Sequence, residues 1–489
     1  MASEHDLQHA PARRIARNAV VRAGGEAIGK LASIAFFIVM ARELGQAGFG
    51  DFMFAFSLGT VLMLASGLGT EELIAREVAR DHGRVHGYLG NIASAKAVIS
   101  VLLLLLAALI VNLGDWPHEA RIASYIIVAG VAIENLGRTW HAVFTAYERL
   151  DMISISLVIQ RVLTAAVGIA VMEAGGGLIA VSVVFSLGAV TGFLIATQVL
   201  RHWVVAARWE LDRSRWVPLL RAGVPIGIAS VIFVVLMRID ATLLGLLTGG
   251  DDNSEVGVYA AAFRLVEGTL FISWAVAASV LPWLSRQTEA ADVSRGYELG
   301  VKAITTVLMP IGLGFVLLAT PLIHLLYGAE YDDAVTPLRL LGVMTVLYGA
   351  NSMASTVLIS RDRPQDFTRI AAWVTAFNVV LNLILIPSYG ADGAAFVAAL
   401  SALMLASLSM LVVGRKFGHI RLLRAFGAPL AGALAMTAVV LPTDLPLVAA
   451  AAVGGLAYVA GALAFERVAF PQDFSRLRGA LSRGVRSAA

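Results

Sequence analysis

Residues 223–250 read GVPIGIASVIFVVLMRIDATLLGLLTGG, and an acidic turn, DDNSEV at 251–256, joins them to GVYAAAFRLVEG at 257–268. An α-helix needs about 20 apolar residues to cross the hydrocarbon core of a bilayer, and the segments on both sides of the turn continue for long enough to do so. The stretch therefore predicts two membrane-spanning helices joined by a short polar turn, which we number spans seven and eight.

Both of these predicted spans contain charged residues. Arg238 and Asp240 lie well inside span seven, and Arg264 and Glu267 lie inside span eight. Counted from the outer helix ends at 1.5 Å per residue, all four lie about 10–15 Å deep, as expected for a ring or a shared cavity. A charge inside a span is costly and usually faces the bundle interior or water, so these residues are candidates for function.

Composition places the whole chain among helical membrane proteins. Of its 489 residues, 58% are hydrophobic and 15% are charged, and the mean hydropathy is +0.80. A soluble protein of this length needs more charge to cover its surface, and a transmembrane β-barrel has short alternating segments instead of apolar runs of about 20 residues. The absence of cysteine excludes disulfides, thiolate metal sites and thiol nucleophiles.

The basic residues lie in loops and tails that flank the apolar segments, which is the positive-inside pattern and not a nucleic-acid-binding surface. Cationic and acidic loops alternate along the chain, and both tails are cationic. We therefore expect a protein of the cell (inner or plasma) membrane with both termini in the cytoplasm. The chain has no phosphate-binding loop, metalloprotease motif or nucleophile triad, so we expect a transporter without catalytic residues, metal or cofactor.

Apolar segments separated by polar turns predict about fourteen spans in an all-α protein. An even number of spans agrees with two cytoplasmic termini. We place the spans at 19–41, 50–69, 92–113, 121–141, 152–173, 178–200, 217–248, 257–281, 301–326, 338–358, 369–387, 393–414, 427–442 and 446–465.

An internal repeat divides these spans. GDFMFAFSL at 50–58 corresponds to GVYAAAFRL at 257–265, and both copies follow a span that runs outward. The repeat is therefore parallel and predicts two pseudo-symmetric six-helix lobes. The predicted units are a cytoplasmic N-terminal tail (1–18), an N-lobe (19–200), a cytoplasmic interfacial linker (201–216), a C-lobe (217–414), a C-terminal helix pair (427–465) and a cytoplasmic basic tail (466–489).

Several stretches in this order resemble one family. They are ARELGQAGFGDFMFAFSL at 41–58, GLGTEELIAREVAR at 67–80, MRIDATLLG and VGVYAAAFRL in spans seven and eight, PLIHLLYGAEYDDAVTPLRLLG at 321–342, and NLILIPSYGADGAAFVAALS at 382–401. Together they resemble the polysaccharide-transporter branch of the multidrug/oligosaccharidyl-lipid/polysaccharide (MOP) exporter superfamily.

The resemblance implies a flippase that carries a polyprenyl-diphosphate-linked oligosaccharide from the cytoplasmic to the outer leaflet, as used for O-antigen, capsule or exopolysaccharide. It also implies two lobes around a central cationic cavity, alternating access, and a groove for the prenyl tail at spans thirteen and fourteen. The expected partners are the lipid-linked oligosaccharide, membrane lipid, a coupling H⁺ or Na⁺, and a polysaccharide polymerase or glycosyltransferases, with no nucleic acid.

Charged residues inside the spans are the candidate site. Arginine is suited to phosphate because its planar guanidinium binds two oxygens at once. The expected substrate-binding cations are Lys30, Arg161, Arg238, Arg264 and, nearer the cytoplasmic end of its span, Arg22. The expected counter-charges or ion-coupling groups are Asp240, Glu267, Glu26 and Glu134.

Two of these assignments have structural alternatives in the N-terminal half. Lys30 lies near the middle of span one, where it meets either a diphosphate or Glu26, four residues earlier on the same helix face. Glu134 and Arg161 either line a cavity or form an ion pair between helices.

Spans seven and eight also leave alternatives open. Arg264 and Glu267 are three residues apart and can neutralise each other. Arg238 and Asp240 point about 200° apart on a helix and cannot pair, so each needs a partner on another helix or water. The glutamates at 71–72 are expected in a solvated loop.

Three other functions compete with this prediction. A lipid II flippase of peptidoglycan synthesis is close, but paired arginines expected at the inner end of its second span are missing here. A multidrug or cation antiporter is disfavoured because buried arginines repel cationic drugs. A polymerase or ligase acting on lipid-linked sugars usually carries a substantial outer loop, whereas the outer loops here are short.

Overall fold

The computed structural model describes residues 4–471 apart from 205–208, 211, 249–251, 288 and 419, and it describes no side chains at 4–24, 26, 274, 278 and 282. This described part of the chain is helical and contains no strand. The α-helices are α1 (Glu4–Gly67), α2 (Thr70–Arg80), α3 (Val85–Leu113), α4 (His118–Ala146), α5 (Leu150–Glu173), α6 (Leu178–Trp203), α7 (Arg213–Thr248), α8 (Ser254–Glu267), α9 (Leu270–Arg286), α10 (Ala290–Leu317), α11 (Ala319–Leu326), α12 (Val335–Ser360), α13 (Pro364–Phe417), α14 (Leu422–Val440) and α15 (Leu447–Ala469), with short 3₁₀ turns at His82–Arg84 and Ala329–Ala334.

Twelve segments of the described chain are long and apolar enough to cross a membrane, and two of them are much longer than one crossing requires. The 41-residue segment in α1 is broken at Gly45, and the 54-residue helix α13 is broken at Gly390. Both glycines have positive φ, at 65° and 50°, a conformation that side-chain-bearing residues rarely adopt. Each of these segments therefore holds two spans, which confirms the all-α fold with about fourteen transmembrane helices.

The predicted span 301–326 differs from the structure. Helix α10 ends at Leu317, and α11 begins at Ala319 after a non-helical Leu318. Pro321 explains the break, because a proline ring clashes with the carbonyl four residues earlier, which here belongs to Leu317. The predicted span 257–281 is also interrupted, since α8 ends at Glu267 and α9 begins at Leu270.

The chain divides into two compact units, Met1–Ala260 and Ala261–Ala489. The buried core of the first unit includes large side chains of α2, α3, α4 and α6, namely Ile74, Leu89, Trp140, Phe144 and Leu200. The core of the second includes side chains of α9, α10 and α12, namely Leu284, Tyr297, Ile304, Met353 and Leu358. The lobe limits given above for the sequence stay predictions, as does the linker at 201–216, of which 205–208 and 211 lie outside the described residues.

Within the first unit, the two repeat copies touch each other reciprocally. A methyl group added to Gly50 would lie 1.9 Å from the carbonyl oxygen of Asn253, four residues before Gly257. A methyl group added to Gly257 would lie 2.1 Å from the carbonyl oxygen of Gln46, four residues before Gly50. The side chain of Asn253 also donates to Asp51 at 2.7 Å. Equivalent positions therefore make equivalent contacts, as pseudo-two-fold symmetry of the repeat requires.

Within the second unit, the predicted C-terminal helix pair is present as α14 and α15. Glycines bring the two helices close together, since a methyl group on Gly432 would lie 2.7 Å from the carbonyl oxygen of Tyr458. Helix α15 is joined to α10 by two polar contacts: Lys302 Nζ lies 2.5 Å from Glu466 Oε1, and the Tyr458 hydroxyl donates to the Thr306 carbonyl at 3.0 Å. The pair is thus held to the rest of its unit by specific bonds as well as by apolar packing.

Candidate functional site

A pocket of about 200 Å³ opens between α4, α5 and α6 in the first unit. Its lining combines charged, polar and aromatic side chains with small residues. The main groups are Glu134, Arg138 and His141 of α4, Gln160 and Arg161 of α5, and Phe193 of α6. By helical rise, Arg138 lies about 12 Å from the end of α4 and Arg161 about 16 Å from the start of α5, which places the pocket well inside the spans.

Helical periodicity produces this lining. The pocket takes positions 134, 137, 138 and 141 from α4, 157, 160 and 161 from α5, and 189, 192 and 193 from α6. Spacings of three and four residues place side chains on one face of a helix. A methyl group on Gly192 would lie 2.2 Å from Oε1 of Gln160, so a larger residue there would displace the Gln160 side chain.

The charges of the pocket are unequal in number. Glu134 forms an ion pair with Arg138 on its own helix at 3.7 Å. Among the residues that the structure describes, no carboxylate lies within ion-pair distance of Arg161. The sequence left open whether Glu134 and Arg161 line a cavity or pair between helices, and the structure places both in the lining of one pocket. Two guanidinium groups and one carboxylate give this lining a net positive charge.

Helix α1 packs against α5 beside this pocket. The Cδ of Arg161 would lie 3.5 Å from a methyl group on Gly29, and Lys30 follows directly and is partly buried. The side chains of Arg22 and Glu26 lie outside the described residues. The predicted roles of Arg22 and of the Lys30–Glu26 pair therefore stay predictions.

The charges of span seven have partners on other helices, as predicted. Asp240 is 3% exposed and accepts a hydrogen bond from the Tyr259 hydroxyl of α8 at 3.0 Å. The guanidinium of Arg238 lies over the Phe56 ring of α1, 5.2 Å from its centroid. A cation over an aromatic face is stabilised by the ring quadrupole, so Arg238 is held at a defined position.

The charges of span eight contact each other. Arg264 Nη1 lies 2.8 Å from Glu267 Oε2, three residues along the same helix, so the mutual neutralisation allowed by the sequence is present. Arg238 and Asp240 belong to the first unit, whereas Arg264 and Glu267 belong to the second. The predicted ring of four charges stays a prediction.

The sequence analysis missed the buried charge at position 96. Lys96 of α3 is fully buried, and its Nζ lies 2.9 Å from Glu71 Oε1 and donates to the Asn135 carbonyl at 2.9 Å. The prediction that Glu71 and Glu72 lie in a solvated loop was wrong. Both belong to α2, and Glu72 accepts a hydrogen bond from Ser230 of α7 at 2.7 Å. A single lysine inside the apolar run of α3 was the available signal.

Curated relatives match only part of the chain. The probable low-salt glycan biosynthesis flippase Agl15 of Haloferax volcanii is 25% identical over 165 residues, 33% of this chain and 34% of the relative. The probable flippase AglR of the same organism is 28% identical over 213 residues, 42% of this chain and 44% of the relative. The matched stretches thus span less than half the length of these relatives.

Solved structures match over most of the chain. The lipid II flippase MurJ in an inward closed conformation superposes with a TM-score of 0.76 at 15% identity, covering 92% of this chain and 99% of that chain. An inward-facing multidrug resistance MATE transporter of the MOP superfamily superposes with a TM-score of 0.62 at 17% identity, covering 82% and 98%. At such identities the likeness establishes the fold alone, which is that of MOP transporters.

The family itself is established by sequence. The polysaccharide biosynthesis protein family matches residues 15–288, more than half of the chain. Together with the MOP fold, this match confirms the resemblance drawn from the motifs. The chain is therefore a multi-pass membrane protein that belongs to the polysaccharide biosynthesis protein family.

Proposed function

We propose that this protein is a flippase that moves a polyprenyl-diphosphate-linked oligosaccharide from the cytoplasmic to the outer leaflet of the cell membrane. The family, the MOP fold and the names of the curated relatives support this function. The observation that carries it is the set of arginines inside the apolar helices, namely Arg138, Arg161, Arg238 and Arg264. Such cations suit a phosphorylated cargo that leaves water.

The energetics of the step favour cationic groups. Removing a charged headgroup from water costs many kcal/mol unless opposite charge and hydrogen bonds compensate it. Arginines at membrane depth supply that compensation while the prenyl tail stays in lipid. A membrane potential that is negative inside favours outward movement of an anion by about 2.3 kcal/mol per charge per 100 mV, so ATP is not required. We further propose that the cavity is lined by cations and opens alternately to the two sides of the membrane. Both termini are proposed to lie in the cytoplasm.

Arg238 and Arg264 are proposed to bind the diphosphate. Replacing either by alanine should weaken retention of a polyprenyl-diphosphate sugar about 10- to 100-fold, because a charged hydrogen bond contributes about 1.5–3 kcal/mol. Native mass spectrometry of the detergent-purified protein measures the retained lipid, and a liposome assay measures flipping. Arg80→Ala is the matched control, since this arginine side chain is 69% exposed at the end of α2.

The results separate the parts of this proposal. Loss of lipid in both variants, with retention in wild type and Arg80→Ala, supports the diphosphate site. Equal retention of lipid by all of these proteins would support the proposed substrate but assign its binding to other cations, Lys30 and Arg161. No retention and no flipping by a folded wild-type protein overturns the function.

Asp240 is proposed as an ion-coupling group. Its buried carboxylate is held by Tyr259, so Asp240→Asn should remove the dependence of flipping on an H⁺ or Na⁺ gradient while lipid retention persists. Tyr259→Phe keeps the carboxylate and removes its hydrogen bond, so it should alter this ion dependence without abolishing it. Flipping of Asp240→Asn at the wild-type rate, with unchanged ion dependence, would exclude Asp240 from coupling.

A further inference from the structure

We propose that the pocket between α4, α5 and α6 is a specificity subsite for a sugar that carries a single carboxylate, within the glycan of the lipid-linked cargo. This inference rests on the proposed flippase function and names a substrate class for it. The diphosphate is assigned to other cations above, so the subsite concerns the saccharide part of the cargo.

The charge of the lining selects the charge of the occupant. Arg138 is compensated by Glu134 at 3.7 Å, and Arg161 remains as one uncompensated positive charge among the described residues of the pocket. A charge removed from water needs an opposite charge and hydrogen bonds. One carboxylate balances one guanidinium and can accept two parallel hydrogen bonds from it. A diphosphate diester carries two negative charges and would leave one of them unbalanced.

Neutral groups beside Arg161 suit a sugar ring. Gln160 adjoins Arg161 in the lining and offers an amide donor and acceptor to hydroxyl groups. His141 adds an imidazole, which lies 3.2 Å from the Ser156 hydroxyl through Nε2. Phe193 adds an aromatic wall against which the apolar face of a pyranose can pack. Polar groups placed around one aromatic wall can orient a sugar ring in this way.

The size of the pocket limits the occupant to one residue of a glycan. Its volume is about 200 Å³, whereas pockets that enclose drug-sized ligands measure about 300–1,000 Å³. Gly192 preserves part of this volume, because any side chain there would meet Gln160. The pocket thus fits a single sugar ring with its carboxylate directed at Arg161, and not a whole oligosaccharide.

The test titrates the detergent-purified full-length protein with methyl glucuronide and with methyl glucoside. The two sugars differ only at C6, which is a carboxylate in the glucuronide and a hydroxymethyl group in the glucoside. Wild type should bind the glucuronide at least about tenfold more tightly, because a charged hydrogen bond to guanidinium is gained. Arg161→Gln should bring the ratio of the two affinities close to one, and Arg161→Lys, which keeps the charge, should retain part of it. Arg80→Gln, which changes an exposed arginine, is the control and should keep the wild-type ratio.

Outcomes of the titration are separate from those of the flipping assay. Equal affinity of wild type for the two sugars, or a wild-type ratio in Arg161→Gln, overturns the subsite. A free carboxylate is tested with acetate, and binding of acetate as tight as that of glucuronide would also overturn it, since the sugar ring would then contribute nothing. If the protein preferred the glucuronide but flipped no lipid, the flippase proposal would be overturned, whereas recognition of a carboxylate in this pocket would still be supported.

Discussion

Replacing Glu71 by alanine is expected to destabilise the protein by about 3–5 kcal/mol, because it leaves Lys96 as a fully buried charge without its carboxylate. The Asn135 carbonyl still accepts from Lys96, but a neutral oxygen does not balance an ammonium group. The free energy of unfolding in mixed detergent micelles, titrated with SDS, measures this loss.

Two further variants test whether the loss of stability comes from the buried charge of Lys96 or from any change in α2. Glu72→Ala, at the residue after Glu71, removes the acceptor of the Ser230 hydroxyl and a weaker charge interaction with Lys96, and it should lower the free energy of unfolding by about 0.5–1.5 kcal/mol. A double replacement of Glu71 and Lys96 by methionine should recover most of the stability, since an apolar pair of similar volume avoids the desolvation of two charges. If Glu71→Ala cost no more than Glu72→Ala, the ion pair would not be a major stabilising contact.

Replacing Gly257 by alanine is expected to lower the free energy of unfolding by about 1–3 kcal/mol or more, and Gly50→Ala should lower it by a similar amount. In each case the added methyl group would lie about 2 Å from a backbone carbonyl oxygen, of Gln46 or of Asn253, which cannot rotate away as a side chain can. Reciprocity predicts that the double variant loses less than the sum of the single losses, because one separation of the helices relieves both clashes. The same detergent unfolding assay measures all three proteins.

Gly314 provides the control for this second experiment. It also lies in a helix, but a methyl group there would meet nothing within 4 Å. Gly314→Ala should therefore stabilise the protein by up to about 1 kcal/mol through helix propensity, with the opposite sign to the repeat glycines. Fully additive or negligible losses at Gly50 and Gly257 would contradict the reciprocal contact.

The course of the chain through the membrane could be predicted because each span carries its own signal. Runs of apolar residues locate the helices, and Gly and Pro mark many of their ends. The predicted spans differ from the structure where helix continuity depends on one residue, as at Leu318, or where helices extend beyond the apolar segment, as α10 does at Ala290. A hydropathy pattern records apolarity and does not record where a helix begins in water.

The candidate site was only partly predictable. Charges inside spans pointed to Glu134 and Arg161, and both line the pocket. Arg138 was missed, although it lies four residues after Glu134 on the same helix face and that spacing was the available signal. Lys96 and Glu71 are 25 residues apart and meet only through the packing of α2 on α3, which no local pattern encodes.

The glycine junctions at 45 and 390 have a mechanical consequence. A loop between two spans absorbs displacement, since its dihedral angles can change while the helices keep their positions. Here one residue of positive φ replaces the loop, and the helical hydrogen bonding resumes on each side of it. Any change of the angle between the two spans of such a pair is therefore confined to rotation about one glycine, and at Gly45 even an added Cβ would meet nothing within 4 Å.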